Sequence, residues 1–235
     1  MKFTIDKTVF EKFSGVTIGV VIVKGLDNSG TIDEVQTQLR VVENDIRSKY
    51  QTETLSQTPK IDVWRKAYSA FGGKPKENRS SVENLYRMVL QGNNVRHINK
   101  LVDSYNLISL SHMVPVGGED IDKMSGDIRL TFAGQNEPPV LLLGEKEPRP
   151  PHSGEVIYKD GISTICRRWN WREADRTKLT EETKNCILVI EGLSPAAAKE
   201  EIEKATIELE QLVKKHCGGQ TKRALLDQNQ NEIEW

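Results

Sequence analysis

Two apolar runs constrain the fold of this chain more than any other feature. Residues 16–23 read VTIGVVIV, and residues 185–191 read NCILVIE. Both runs are rich in β-branched and other apolar residues and lack the alternation of a half-exposed strand, which is typical of strands that are buried on both faces. We therefore expect two buried strands, far apart in the sequence, the second of which ends in the carboxylate of Glu191.

Helical periodicity dominates the first half of the chain. Apolar residues recur every three or four positions in three stretches there and in one later stretch, which is typical of amphipathic helices. These stretches are 32–50, 82–89, 98–108 and 202–213. Shorter alternating or apolar stretches between residues 127 and 166 predict several strands. Because helices come mainly first and strands mainly later, the pattern predicts an α+β fold.

Composition limits the classes of function. Lys and Arg total 33 and Asp and Glu total 34, which argues against a protein that coats nucleic acid through bulk charge but allows a local basic patch. The three cysteines have no CxxC spacing and the four histidines form no ligand pair, so we expect no metal and no cofactor. The charged amino terminus and the short apolar runs predict a cytoplasmic protein with no membrane partner.

A polar segment between two predicted strands reads RRWNWR. If the strand alternation continues into it, Trp169 and Trp171 point to one side, and Arg168, Asn170 and Arg172 point to the other. Indole rings beside guanidinium groups suit the binding of an aromatic side chain, a nucleobase or a phosphate. The alternative is a pair of ordinary strands whose tryptophans pack in the core and whose arginines lie at the surface.

Three segments, taken in their order along the chain, together resemble the sequence pattern of a known domain family. Residues 99–126 read NKLVDSYNLISLSHMVPVGGEDIDKMSG, a predicted helix, a turn at Pro115 and then Asp-x-Asp-Lys-x-x-Gly. A strand follows at 128–133, and residues 154–191 end in a Thr-rich turn and the strand with Glu191. This arrangement resembles the editing domain embedded in the β subunit of bacterial phenylalanyl-tRNA synthetase, here as a free-standing protein.

The resemblance covers about residues 60–215 of a single predicted domain, 1–235. The remaining parts are a predicted strand–helix extension at 1–58 and a predicted polar tail at 218–235. The fold that it implies has mixed and antiparallel sheets flanked by helices. The function that it implies is trans-editing, in which a hydrolase removes a wrongly esterified amino acid from tRNA; in the known case this is tyrosine on the phenylalanine tRNA. The implied partners are the 3′ acceptor end of tRNA and the amino-acid moiety, and the oligomeric state stays open.

The resemblance also implies a binding site. The amino acid is expected between the turn at Pro115 and the later strands, where by position Glu191 would read a tyrosine hydroxyl; the alternative is a surface carboxylate that merely ends a strand. Gly117 stands where the family has a histidine, and the nearby His112 has no matching position. Residues 168–172 stand where the family has small residues and paired glycines. Trp169 and Trp171 are therefore expected to reshape the pocket, for another amino acid or for the terminal adenosine.

The chemistry that this site requires is modest. The chain has no GxSxG motif, but an activated ester needs only a positioned water and hydrogen-bond donors for the developing oxyanion. Gly117 and Gly118 are candidates for such backbone donors, with an ordinary turn as the alternative, and Asn170 is a candidate catalytic side chain. Glu119 and Asp120 are candidates for orienting the water, with solvated loop carboxylates as the alternative.

Two other functions remain open at the level of sequence. A non-catalytic module that binds an amino acid, a nucleotide or a tRNA end is favoured by the absence of the family histidine at Gly117. A hydrolase for another small ester or amide would use Cys166 as its nucleophile, although a cysteine buried in a strand is usually inert.

Overall fold

Two β-sheets lie at the centre of the molecule, and the computed structural model describes all residues from Met1 to Trp235. The helices are α1 (Lys7–Lys12), α2 (Asp33–Lys49), α3 (Pro59–Ala70), α4 (Ser81–Leu90), α5 (Lys100–His112) and α6 (Lys199–His216). The strands are β1 (Lys2–Ile5), β2 (Val16–Lys24), β3 (Val116–Asp120), β4 (Ile128–Phe132), β5 (Val156–Lys159), β6 (Thr164–Arg167), β7 (Arg172–Glu173), β8 (Asn185–Leu193), β9 (Gln220–Leu226) and β10 (Glu232–Glu234). Short 3₁₀ turns occupy Leu55–Gln57 and Ile121–Lys123.

The two sheets differ in size and in strand direction. The six-stranded sheet has the order β10-β1-β4-β5-β6-β7, and the four-stranded sheet has the order β3-β8-β2-β9. Strands β1 and β4 are parallel, whereas the other paired strands are antiparallel. The predicted α+β class, with mixed and antiparallel sheets flanked by helices, is therefore confirmed.

The two apolar runs pair with each other in the middle of the four-stranded sheet. Strand β2 is antiparallel to β8 from Val16 opposite Leu193 to Lys24 opposite Asn185. One face of this pair packs on α6, which lies so close that a Cβ atom at Gly19 would be 1.8 Å from Thr206 Oγ1. The other face, with Ile18 of β2, turns towards the six-stranded sheet. Both faces are thus covered, which explains why neither run alternates with polar residues.

The two ends of the chain are parts of the sheets. Residues 218–235, which we predicted as a polar tail, instead form β9 against β2 and β10 against β1. These strands have polar residues on their exposed face, while Leu226 and Ile233 are buried. Because the segment contains few apolar residues, its strand pattern in the sequence is weak. The segment 1–58 contributes β1 and β2 to the sheets. The division into a core and flanking parts otherwise stays a prediction.

Two smaller features complete the fold. Val140 and Leu142 make only isolated bridges, to Arg149 and Ala174, where a short strand was expected. No helix is both long and apolar enough to cross a membrane.

Candidate functional site

A cavity of about 490 Å³ lies between the two sheets and is covered by α4 and α5. Its volume falls in the range typical of small-molecule sites, about 300–1,000 Å³. Apolar residues form most of the wall, among them Ile187 and Val189 of β8 and Ile165 of β6. Polar groups are few, as in most sites that orient a ligand through a small number of contacts.

The register of the four-stranded sheet decides which of its side chains face this cavity. Gly117 lies opposite Val189 and Glu119 lies opposite Ile187. Paired residues, and residues two apart on one strand, share a face of a sheet. Gly117 and Glu119 of β3 therefore face the same space as Ile187, Val189 and Glu191 of β8, and all five line the cavity.

Glu191 is the centre of a hydrogen-bonded network in the cavity wall. Its Oε1 accepts a hydrogen bond from the Tyr158 hydroxyl, and its Oε2 accepts one from Asn170 Nδ2 at 2.6 Å. The Oδ1 atom of Asn170 in turn accepts from the Tyr68 hydroxyl at 2.9 Å. Glu191 is 2% exposed, so the alternative of a surface carboxylate is wrong. A hydroxyl of the protein, that of Tyr158, thus already bonds the carboxyl group that was expected to read a substrate hydroxyl.

Burial sets the protonation of this carboxyl group. It raises the pKa of Glu191 to about 7, while the hydrogen bonds from Tyr158 and Asn170 act in the opposite direction. The pKa of Tyr158 is raised well above its usual value, first by burial and then by Glu191. The tyrosine is therefore a neutral donor at every physiological pH, and Glu191 changes its charge near neutrality.

The proline turn and the glycines lie beside the Glu191 strand. The carbonyl oxygen of Pro115 accepts a hydrogen bond from the backbone N–H of Glu191 at 3.0 Å, although Pro115 itself does not line the cavity. Gly117 and Gly118 belong to strand β3, so the alternative of an ordinary turn is wrong. The N–H group of Gly118 donates to Glu173 Oε1 at 3.3 Å, which makes it a shared rather than a free donor.

Two further carboxyl groups, those of Glu119 and Glu173, line the cavity close to the glycines. A Cβ atom at Gly117 would lie 2.9 Å from Glu173 Oε1, so the carboxylate of Glu173 occupies the space that a side chain at Gly117 would need. Burial raises the pKa of Glu173 to about 7. It also raises the pKa of Glu119 well above its usual range, and the charge of Glu173 adds to this effect.

The predicted alternation through RRWNWR is wrong. Strand β6 ends at Arg167 because Arg168 and Trp169 adopt positive φ angles of 48° and 66°, which turn the chain back into β7. The indole of Trp169 is 1% exposed and packs edge-on against Trp64, with ring centroids 5.1 Å apart. The core alternative is thus correct for Trp169, which nevertheless forms part of the cavity wall together with Asn170.

Trp171 lies in the cavity wall with two arginines stacked on its ring. The guanidinium carbons of Arg168 and Arg172 lie 4.4 Å and 4.8 Å from the ring centroid. Arg172 also forms an ion pair with Glu145 at 3.3 Å and lines the cavity, whereas Arg168 does not. Stacked guanidinium and indole planes with part of their surface exposed form a platform for another planar group.

Three other candidates have different surroundings. His112 ends α5 and contacts Glu208 at 2.6 Å, outside the cavity. Asp120 also lies outside it and accepts hydrogen bonds from Asp122 N and the Thr183 hydroxyl, so its role is to shape the turn after β3. Cys166 lines the cavity, but burial raises the pKa of its thiol well above the usual range, which disfavours the thiolate that a nucleophile needs.

Sequence reasoning missed several polar residues of the cavity: Glu173, Tyr158, Tyr105 and Asn106. Glu119 was a candidate for orienting a water, but nothing in the sequence indicated that β7 would bring Glu173 against the glycines. Tyr158 lies between residues 127 and 166, where the sequence predicted strands but no site residue. The contacts that bring Tyr158 and Glu173 to the site, with Glu191 and Gly118, join segments that are distant in the sequence.

Residues 63–218 match the B3/4 domain family, and this match covers more than half of the chain. The chain belongs to this family. The coarse part of the resemblance, a domain like one in the β subunit of phenylalanyl-tRNA synthetase, agrees with this result.

This B3/4 domain is similar in structure to an amino-terminal fragment of the phenylalanyl-tRNA synthetase β subunit from Pyrococcus horikoshii. The sequence identity is 13% and the TM-score is 0.49. The similarity covers 95% of this chain and 53% of that fragment, so the chain spans about half the length of the fragment. No curated protein matches the sequence. The cavity and its contacts, rather than so distant a similarity, carry the functional argument for this B3/4 domain.

Proposed function

We propose that this B3/4 domain is a trans-editing hydrolase that removes a wrongly esterified amino acid from tRNA. In this proposal the cavity holds the aminoacylated ribose at the 3′ end. The observation that carries it is the convergence, on one cavity of about 490 Å³, of Glu191, the Gly117–Gly118 strand and the stacked platform of Trp171. A cavity of this size suits a small acyl group together with part of a nucleoside.

The polar groups of the cavity support ester hydrolysis. A carboxyl group whose pKa lies near 7 is partly ionised at neutral pH and is suited to take a proton from water. Glu191 has such a pKa, and its carboxylate accepts hydrogen bonds from Tyr158 and Asn170, with the indole N–H of Trp169 close by. Because the two oxygens have four lone pairs between them, at least one lone pair remains for a water molecule. Asn170 holds the carboxylate in place, and in this role it is a positioning residue rather than a proton acceptor.

The platform supports binding of the nucleic acid end. An adenine base stacks favourably on an indole or guanidinium plane, and a guanidinium group pairs with phosphate. Arg172 lies half-exposed beside Trp171 at the cavity, so one residue can meet either the base or a phosphate. This local site requires no overall positive charge, in agreement with the net charge of −1.

Deacylation of purified mischarged tRNAs tests the proposal. The wild-type chain alone should release the amino acid from at least one member of a panel, and Glu191→Gln, Asn170→Ala and Arg172→Ala should each slow the release at least tenfold. Arg96→Ala is the matched control, because Arg96 is exposed and lies outside the cavity. Survival of the whole panel with the wild-type chain would contradict the proposal.

A non-catalytic binding module is the second candidate function. It is favoured by two observations: Gly117 offers no side chain, and the Gly118 N–H group donates to Glu173. Thermal-shift measurements with amino acids, nucleotides and aminoacyl-adenosine analogues separate the candidates. Saturable stabilisation without any deacylation would select the binding module.

A further inference from the structure

The side chains of Glu119 and Glu173 lie on the same side of strand β3, the side that faces the cavity. The side chain of Glu119 lies on the same face as Gly117, roughly 7 Å further along the strand. A Cβ atom at Gly117 would be 2.9 Å from Glu173 Oε1. The two carboxyl groups therefore come from different sheets and meet beside the cavity that both of them line.

The protein supplies few partners for these two carboxyl groups. Glu119 is 8% exposed and its Oε2 is buried; the Thr177 hydroxyl is near enough to lower its pKa, but it does not reach Oε2 with the geometry of a hydrogen bond. Glu173 receives only the long contact of 3.3 Å from the Gly118 N–H group. Since a buried polar group without a partner is destabilising by roughly 1–3 kcal/mol, an empty acceptor in a cavity wall points to a donor on the ligand.

The cavity also contains no free positive charge. Arg172 is the one cationic residue in its wall, and this arginine pairs with Glu145 and stacks on Trp171. Arg176 is near Glu119, but its guanidinium group is held by Asp160 at 2.9 Å. Two carboxyl groups and no cation make this part of the wall complementary to a positive group with several N–H donors.

We infer that Glu119 and Glu173 form a binding site for a primary ammonium group, so that the ligand of this cavity is an amino acid derivative whose α-amino group is free. An ammonium group has three donors, enough for both carboxyl groups, its positive charge favours their ionised forms, and it is compact enough to lie among apolar walls. This inference rests on the proposed function, because it assigns one end of the aminoacyl group that the cavity would hold. It excludes peptidyl and other N-acylated esters as ligands.

Calorimetric titration with stable 3′-amide analogues of aminoacyl-adenosine tests the inference. The probes carry leucine, phenylalanine or tyrosine, each with a free and with an N-acetylated α-amino group. The free form should bind at least tenfold more tightly than the acetylated form. Glu119→Gln and Glu173→Gln should remove most of this preference, mainly by weakening the free form, and should leave the affinity of the acetylated form within about twofold of the wild type.

A second variant keeps the test valid if a glutamine substitution disturbs folding. Gly117→Ala adds a methyl group that pushes against Glu173 Oε1 without changing either carboxyl group, and it should reduce the same preference. Equal binding of the free and acetylated forms to the wild-type chain would overturn the ammonium site and leave the proposed function standing. Binding of neither form would overturn both.

Discussion

The pKa of Glu191 is determined by the burial of its carboxyl group and by the neighbouring hydrogen-bond donors. A carboxyl group removed from water favours its neutral form, which is why its pKa rises to about 7 in spite of the hydrogen bonds that it accepts. The folded state thus holds a proton that the unfolded chain releases between about pH 4.5 and pH 7. Consequently the contribution of Glu191 to the free energy of unfolding falls as the pH rises through this window, and is lowest above it.

Glu191→Gln is therefore expected to change stability in a pH-dependent way. The neutral amide imitates the protonated carboxyl group, so the variant should be close to the wild type at pH 4.5 and more stable at pH 8, by up to roughly 3 kcal/mol. Urea unfolding at the two pH values measures the difference. A variant that is destabilised equally at both would show that the charge of Glu191 has no effect on folding.

Alanine substitutions at the two tryptophans of the RRWNWR segment are expected to have different effects, one on the free energy of unfolding and the other on ligand binding. Trp169 is fully buried against Trp64, so Trp169→Ala should lower the free energy of unfolding by about 3–5 kcal/mol. Trp171 is only half-buried, so Trp171→Ala should have a much smaller effect on unfolding but should weaken nucleoside binding. Denaturant unfolding measures the first effect and titration with adenosine measures the second. Similar effects of the two substitutions on unfolding would contradict the assignment of Trp169 to the core and of Trp171 to the cavity wall.

Strand β3 places two adjacent glycines in opposite surroundings. A Cβ atom at Gly117 would meet the mobile end of the Glu173 side chain at 2.9 Å. A Cβ atom at Gly118 would instead lie 2.4 Å from Leu188 Cδ2 and 3.1 Å from the backbone oxygen of Ile187, on the face packed away from the cavity. One glycine thus leaves room for the Glu173 side chain, and the other allows close packing of the sheet.

Alanine substitutions at these glycines should therefore have different effects. Gly118→Ala should lower the unfolding midpoint clearly, because Leu188 and the neighbouring backbone have little room to move. Gly117→Ala should change the midpoint by less than half as much, since Glu173 can rotate away. Thermal unfolding followed by circular dichroism compares them, and a larger loss for Gly117→Ala would contradict this description of β3.

Elements with a strong local pattern were predictable from the sequence. The runs 16–23 and 185–191 are strands, and the stripe at 32–50 is α2. The turn at Arg168 and Trp169 was not predictable, because positive φ angles at non-glycine residues have no local signal and are stabilised by tertiary packing such as that of Trp169 on Trp64.

At the scale of the molecule, the carboxyl-terminal segment joins the two sheets. Strand β9 covers β2 in one sheet, and β10 pairs with β1 in the other. A chain that ends at residue 218 should therefore lose cooperative unfolding, since it exposes β2 and removes the buried Leu226 and Ile233. Leu226→Ala in the full chain is the milder comparison, with a loss of about 2–4 kcal/mol. Cooperative unfolding of the shortened chain at the midpoint of the full chain would mean that this segment is a tail after all.

The candidate site was predictable only in part, for a reason that lies in the topology. The resemblance indicated that the Pro115 turn and the Glu191 strand belong together, and β3 does pair with β8. No local pattern indicated that Tyr158 would bond Glu191 or that Glu173 would reach Gly118, because both contacts join the two sheets. Contacts of this kind depend on how the two sheets pack against each other, and the periodicity of apolar residues along the chain does not specify that packing.

The most direct test of the central claim uses the four indole N–H groups of the chain, observed by ¹⁵N-correlated NMR during titration with a 3′-amide analogue of aminoacyl-adenosine. Trp169 and Trp171 line the cavity, and the indole N–H of Trp169 is close to the Glu191 carboxyl group. Trp235 lines a separate hollow together with Lys2, which makes it the internal control. We predict saturable shifts for Trp169 and Trp171 and none for Trp235. Saturable binding that leaves Trp169 and Trp171 unmoved would contradict the claim that this cavity is the site.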